Sequence, residues 1–354
     1  MSALLSPYLW IFLLLLGLVH PYEKGSETIR ERMSWLLLNT FVLFFGLRGN
    51  VGIDHSNYQS FYQHLLEGDT KFYEPAFTAI ALLLNTLHLP YQCFVFLCAC
   101  IINLLLFRFL RQHDVNFPLA LGIFWAMSGV INQVDFVRST ISMMLFVNAL
   151  PYIVARNARR YYAIVGVAFL FHYSALLYFP LYFLLHKKLT RNAYASVILF
   201  LTLLATLHLP LLDLPFSMLG GDEDSVIGHY RQYVTRWSGL QLHFSFAVVE
   251  RILTAIVIYK YYDRIMEQPN QRLLVNGFVL FYLFYTLTSN YAILATRLAN
   301  LFVWCYWLLW PLLLNSIQNT RVRLSAYMAM FIYMTVRVWE ISLLNGLKYN
   351  FCLT

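Results

Sequence analysis

Five short segments of this chain combine arginine, carboxylate, histidine and tyrosine in patterns suited to chemistry on an anionic substrate. The first is LRGNVGIDHSNYQSFY, Leu47 to Tyr62, where Arg48 and Asp54 flank a glycine-containing turn and Tyr58 follows Asp54 by one helical turn. Asp54 is either a helix cap, its carboxylate taking a free backbone N–H, or an acceptor for a hydroxyl proton. Glu74-Pro75 offers the same two readings, because proline suits the first turn of a helix and a carboxylate suits its positive end. Arg138, in NQVDFVRSTIS, opens a run that is apolar through Val147. Its planar guanidinium binds phosphate oxygens well; otherwise it reaches for lipid headgroups or pairs with Asp135. His172, in FLFHYSALLYFP, stands between apolar arms with no charged neighbour in sequence. It is a hydrogen-bonded core residue or, if the helix breaks there around a hydrated cavity, a working one. Arg297 starts a further apolar run six residues after Tyr291, so two arginines at the ends of separate helices offer a clamp for two phosphoryl groups.

These residues stand out because the chain is otherwise apolar. Of its 354 residues, 60% are hydrophobic and 12% charged, against roughly 45–50% and 25% in soluble domains. Water is the wrong solvent for such a chain. The fold expected is all-α, a polytopic helical bundle, since helices satisfy their own backbone polar groups in lipid. Candidate spans cover 3–19, 34–47, 91–107, 116–132, 139–155, 192–210, 244–262, 273–290, 298–314 and 325–342, with 161–186 as one long span or two short arms. Sixteen of the 25 basic residues fall in the loops 20–33, 108–115, 156–160, 187–191, 260–272 and 315–324, which assigns those loops to the cytoplasm. Both termini then lie outside, 161–186 is a hairpin, and 75–89 is re-entrant or juxtamembrane. About twelve spans in a single membrane domain over 1–354 result. The outer loops are 48–90 and 211–243, the second a candidate lid. Its GGDED run at 220–224 reads as solvated rather than as a metal site.

What is missing narrows the chemistry further. The first apolar run, Ala3 to Val19, lacks a basic n-region and a small-residue cleavage site, so it reads as a retained span. The five cysteines show no metal or disulfide spacing, and no metal or cofactor is expected. No Walker loop, GxGxxG, HExxH or GxSxG occurs, which argues against nucleotide-driven transport and soluble-type hydrolysis. The net charge of +8 belongs to membrane topology rather than to nucleic-acid binding.

In this order the segments resemble the EpsG/Wzy-type family of bacterial polysaccharide polymerases. The likeness lies in R-x-x-x-G-x-D-x-x-x-Y as Arg48, Gly52, Asp54 and Tyr58, and in E-P-x-F as Glu74, Pro75 and Phe77. It continues with Arg138 and with F-H-x-S-A-L as Phe171, His172, Ser174, Ala175 and Leu176, while Ser139 stands where the family often has glutamine. The resemblance implies an enzyme of the bacterial inner membrane that joins undecaprenyl-pyrophosphate-linked repeat units into O-antigen, capsule or exopolysaccharide. Its site would face outward, amid membrane lipids, with a chain-length regulator as a partner. Arg138, Arg297 and Arg48 would hold pyrophosphate, and Asp54, Glu74 or His172 would serve the acceptor hydroxyl. Tyr58 and Tyr291 would orient sugars. Another lipid-linked glycosyltransferase, an O-antigen ligase, or a transporter of such glycans are the alternatives, although the internal inverted repeats common in transporters are missing. The topology is open to a direct test. In spheroplasts, a cysteine replacing Asn57 should react with a membrane-impermeant thiol reagent, whereas cysteines replacing Asn157 and Gln268 should not; the opposite pattern inverts the orientation.

Overall fold

The computed structural model describes residues 6–67, 73–207, 246–289 and 292–352. These residues are helical, and among them the β-type pairing is a single isolated bridge between Arg48 and Phe351. Among the described residues, three helices are long and apolar enough to cross a membrane: Tyr91–Arg111, Phe117–Val134 and Val137–Val154. Other expected spans are shorter or begin in charged turns. Arg191–Leu207 has 17 residues, and Glu27–Gly46 opens with ETIRER. The chain separates into two compact units, one of Met1–Phe183 with Trp310–Thr354 and one of Leu184–Leu309.

The first unit contains α1 (Pro7–Lys24), α2 (Glu27–Gly46), α3 (His55–Gln63), α4 (Pro75–Thr86), α5 (Tyr91–Arg111), α6 (Phe117–Phe124), α7 (Val130–Val134), α8 (Val137–Val154) and α9 (Ala158–Phe171), together with the helix Thr320–Leu343 near the other end of the chain. Between α6 and α7 the chain makes a π-turn over Trp125–Gly129, in a stretch whose periodicity reads as one regular span. Gly129 permits it, because a Cβ there would lie 2.4 Å from the Phe124 carbonyl oxygen. The turn holds Trp125 in the core. Its indole N–H donates to the Tyr8 carbonyl at 3.1 Å, and the rings of Phe41, Phe44 and Phe45 pack within 5.7 Å of it. Nearby, Asn103 and Gln133 exchange side-chain amide hydrogen bonds of 3.3 and 2.6 Å, which satisfies two buried amides among apolar helices.

Two local features follow the sequence reading closely. Helix α4 has 12 residues, about 18 Å of rise, too short to cross a hydrocarbon core of about 30 Å. The 161–186 segment breaks at His172, whose φ and ψ are −160° and 125°, and folds back through a 3-10 helix over Tyr173–Tyr178. The two arms are tied by Tyr161, which donates to the Tyr178 carbonyl at 2.5 Å and packs against Tyr182. This is a hairpin.

The segment from Leu47 to Asp54 is irregular, and its backbone groups are satisfied by the far end of the chain. Gly49 N–H donates to Asn350 at 2.9 Å, Gly52 N–H to Gly346 at 2.9 Å, and Cys352 N–H to Leu47 at 3.0 Å. Tyr349 stacks on Phe44 with ring centroids 4.2 Å apart. In the second unit, Asn276 and Arg272 on the helix Pro269–Leu287 cap the carbonyls of Leu185, His186 and Lys187, fixing the start of that unit.

Gly52 is the tightest point of the loop. Its φ is +112°, and a Cβ would lie 2.6 Å from both the Asp135 carboxylate and the Val134 side chain. Gly52→Ala should therefore destabilise the protein by more than about 1 kcal/mol. A lower unfolding temperature than wild type in the same detergent would show it; an unchanged temperature would mean the loop is not held as described.

Candidate active site

Two carboxylates stand at helix N-caps, and neither is used as a cap. Glu74 precedes α4 and Asp54 precedes α3, yet no backbone N–H of either helix bonds to the side chain. The Asp54 carboxylate instead accepts from the Asn57 side chain at 3.3 Å and is partly exposed. The capping reading of these residues is thereby displaced, and both oxygens of Glu74 are used elsewhere.

Glu74 pairs with Arg138. An Nη1 hydrogen of Arg138 meets Oε2, while Oε1 accepts the Tyr173 N–H at 3.4 Å and lies 3.9 Å from His172 Nε2. The Glu74 side chain is 4% exposed and that of Arg138 22%. Three chain segments, the start of α4, the first turn of α8 and the break after α9, thus meet on one carboxylate. Arg138 sits in an aromatic cup, its guanidinium carbon 4.5 Å from the Tyr73 ring centre and 6.0 Å from those of Tyr58 and Phe77. Such ring faces favour a cation. The Arg138 Nε has no hydrogen-bond partner among the described residues. The pairing of Arg138 with Asp135, one of the sequence alternatives, gives way to the pairing with Glu74.

His172 is fixed by its neighbours. The Ser174 N–H donates to Nδ1 at 3.2 Å, and the Ser174 hydroxyl lies 2.6 Å from the same atom. A nitrogen that accepts a backbone N–H carries no proton in the neutral ring, so the proton lies on Nε2, which faces Glu74. In that state His172 is a donor to the site.

Asp135 has a part that the sequence reading did not assign. Its carboxylate accepts the Asp54 N–H at 3.2 Å, and its backbone carbonyl accepts the Tyr58 hydroxyl at 3.0 Å. Asp135 therefore braces the turn that presents Asp54. Burial holds its carboxyl above the usual carboxylate range. Burial also pushes the Tyr58 phenol up to about 12, against the pull of Arg138. Tyr58 is 6% exposed and committed to Asp135, so its ring floors the arginine cup.

Arg48, in the first unit, makes its hydrogen bond away from the Arg138–Glu74 pair. It is 4% exposed and donates to the Phe45 carbonyl at 2.6 Å, sealed beneath the loop. Arg297 belongs to the second unit, on the helix Ala292–Asn300, and its side chain is exposed. Tyr291 and the 211–243 loop lie outside the described residues. The second unit also holds two buried charges that the sequence reading passed over, Glu250 and Arg251. Glu250 accepts from Thr254 at 2.7 Å and from Tyr306 at 3.3 Å, and Arg251 lies 3.8 Å from the Tyr285 ring centre. Their signal was available, since adjacent charges inside FAVVERILTAIV are costly in an apolar helix.

A buried Glu74 thus pairs with a part-buried Arg138 beside an oriented His172, in a helical protein with helices long and apolar enough to cross a membrane. The chain belongs to the EpsG family, whose model matches residues 32–351. Family membership supports a role of the polysaccharide-polymerase type in a membrane. No curated protein and no solved structure matches the chain.

The ion pair makes a stability forecast. Removing one partner of a buried pair costs about 3–5 kcal/mol, because the other charge stays behind unpaired. Arg138→Met should lower the unfolding temperature markedly, and adding Glu74→Gln should recover most of that loss. If the double variant is as unstable as the single one, the pair is not what holds these segments together.

Proposed function

We propose that the chain is the polymerase that joins oligosaccharide repeat units carried on undecaprenyl pyrophosphate into O-antigen, capsule or exopolysaccharide. The reading places it in the bacterial inner membrane, with about twelve spans and the site at the outer face. The observation that carries it is the meeting of Glu74, Arg138 and His172, from three separate segments, at one aromatic-lined ion pair, with Asp54 one helical turn before Tyr58, whose ring lines the same cup. A leaving lipid pyrophosphate needs fixed donors where its charge develops, and Arg138 supplies them. Glu74 takes one edge of its guanidinium and sets the direction of the rest.

In the reaction, a hydroxyl of the acceptor unit attacks the anomeric carbon of the glycan on the donor lipid. The new glycosidic C–O bond forms as the bond to the pyrophosphate breaks, and undecaprenyl pyrophosphate leaves. Asp54 receives the hydroxyl proton, being partly exposed and free of capping duty. His172 donates through Nε2 and holds the hairpin break in shape. Glu74 acts as a positioning residue, since the arginine and the Tyr173 N–H occupy its oxygens. Arg297, exposed on its helix, serves the second pyrophosphate, and Arg48 contributes charge from below the loop rather than contact.

Cells carrying Arg138→Ala should make surface glycan that collapses to single repeat units, with Lys at this position rescuing only partly because it lacks the planar fork. Full-length chains at normal expression would reduce Arg138 to a lipid-headgroup anchor. In single-turnover transfer with purified lipid-linked units, Asp54→Asn should slow the reaction by about 10²–10⁴-fold, the usual worth of a general base. His172→Gln should retain measurable turnover. The reverse ranking moves the proton to His172.

A further inference from the structure

Helix α3 presents two different faces. Tyr58 and Phe61 turn towards Tyr73 and Phe77 and so belong to the arginine cup. His55, Gln59, Tyr62 and Gln63, spaced by four, three and one, fall on the other side and line a separate groove of about 720 Å³. That volume lies within the range of about 300–1,000 Å³ that accommodates small-molecule and cofactor ligands. Its remaining walls come from Gly49 and Asn50, from Asn85 and 89–92, and from 350–352.

The lining has an unusual composition for a protein of net charge +8. No Asp, Glu, Lys or Arg is among the described residues of the groove, but six primary amides are: Asn50, Gln59, Gln63, Asn85, Gln92 and Asn350. Two of them build the wall. Asn85 donates to the Tyr62 carbonyl at 2.7 Å, and Gln92 donates to the Gly46 and Arg48 carbonyls at 2.6 and 3.2 Å. Asn50, Gln63 and Asn350 present exposed side chains. Rings alternate with these amides. Tyr62 and Tyr91 lie 5.8 Å apart, and the Phe351 ring is 52% exposed, with Tyr349 set edge-on behind it. His55 is 8% exposed, packs against Tyr91, and has an Nε2 atom with no hydrogen-bond partner among the described residues. Burial and the nearby Arg48 hold its pKa below the ordinary imidazole value.

A phosphate or a nucleic acid would require cations in this lining, and a lipid tail would require continuous apolar walls. Sugars require what is present. Each primary amide both donates to and accepts from hydroxyls, and aromatic faces pack against the apolar faces of pyranose rings. We propose that this groove binds an uncharged stretch of the glycan, on the opposite side of α3 from the arginine cup. The assignment rests on the polymerase reading for the identity of the glycan, and it adds a substrate subsite that none of the motif residues contributes. It also accounts for the C-terminal strap: residues 350–352 supply one wall and a stacking ring.

The test uses full-length protein in nanodiscs and two probes. The first is soluble oligosaccharide released from the producing cells' own surface polysaccharide, followed by saturation-transfer NMR and titration. The second is inorganic pyrophosphate. Gln63→Leu combined with Asn350→Leu should weaken oligosaccharide binding by about tenfold or more, the scale expected when two hydrogen-bonding side chains are lost, and leave pyrophosphate binding unchanged. Phe351→Ala, at an exposed ring, should weaken the same probe without lowering the unfolding temperature. Arg138→Lys, which keeps a cation beside Glu74 but loses the planar fork, should do the opposite, weakening pyrophosphate binding and keeping oligosaccharide. Single repeat units and multi-repeat fragments are titrated separately. Equal affinities identify the acceptor unit as occupant and tighter binding of long fragments identifies the growing chain, both of which support the subsite. Oligosaccharide binding that is absent in wild type, or unaltered in both groove variants, overturns it. Failure of the polymerase reading shows elsewhere, as full-length surface glycan in cells from which the protein has been deleted.

Discussion

The pairing of Arg138 with Glu74 is the constraint around which the first unit is arranged. Each ion gives up several kcal/mol of hydration on burial, and their attraction offsets this only with good geometry and further hydrogen bonds. The chain supplies those through the Tyr173 N–H on one side and the rings of Tyr58, Tyr73 and Phe77 on the other. Because one carboxylate serves α4, α8 and the break after α9, none of the three can slide without exposing a charge to apolar surroundings. An ion pair that is weak evidence for stability is here good evidence for register.

Asp135 extends the same logic to the outer loop. Its side chain and its backbone carbonyl hold the two ends of the Asp54–Tyr58 turn, and Gly52 comes close enough to it that no side chain fits between. The other flank of that loop is bonded to residues 346–352. Helix α3 is thereby clamped at its N-terminal end, and its nine residues separate a charged, aromatic-lined site from an amide-lined groove. Two different chemistries can share one short helix because side chains three and four residues apart return to the same face.

The second unit treats charge similarly. Glu250 is met by the hydroxyls of Thr254 and Tyr306, and Arg251 by the ring faces of Tyr285 and Phe281. In both units, aromatic ring faces receive an arginine. The aromatic content of 18% finds part of its explanation there, alongside the interfacial belts expected of a membrane protein.

Hydropathy and motif order alone determined that the chain is a helical membrane protein, and that Arg48, Asp54, Glu74, Arg138 and His172 are its unusual residues. Apolar run length and the cost of charge in lipid are local properties, and a single sequence displays them. The break within 161–186 and the failure of 75–89 to cross were legible because the basic loops had to share one side of the membrane. Which carboxylate pairs with Arg138 was not legible. Asp135 is three residues away and Glu74 is 64, and only the packing of α4 against α9 brings the distant one within reach. Tyr58 reads as a sugar ligand by type, and burial makes it the floor of the cup. Asp135 reads as a partner for Arg138, and a hydrogen bond across 81 residues makes it a brace. The groove was invisible for a similar reason: its amides come from four stretches of chain that share no periodicity, and a tyrosine-rich nine-residue helix and a C-terminal strap become one surface only when the backbone bonds of Gly49 and Gly52 bring them together.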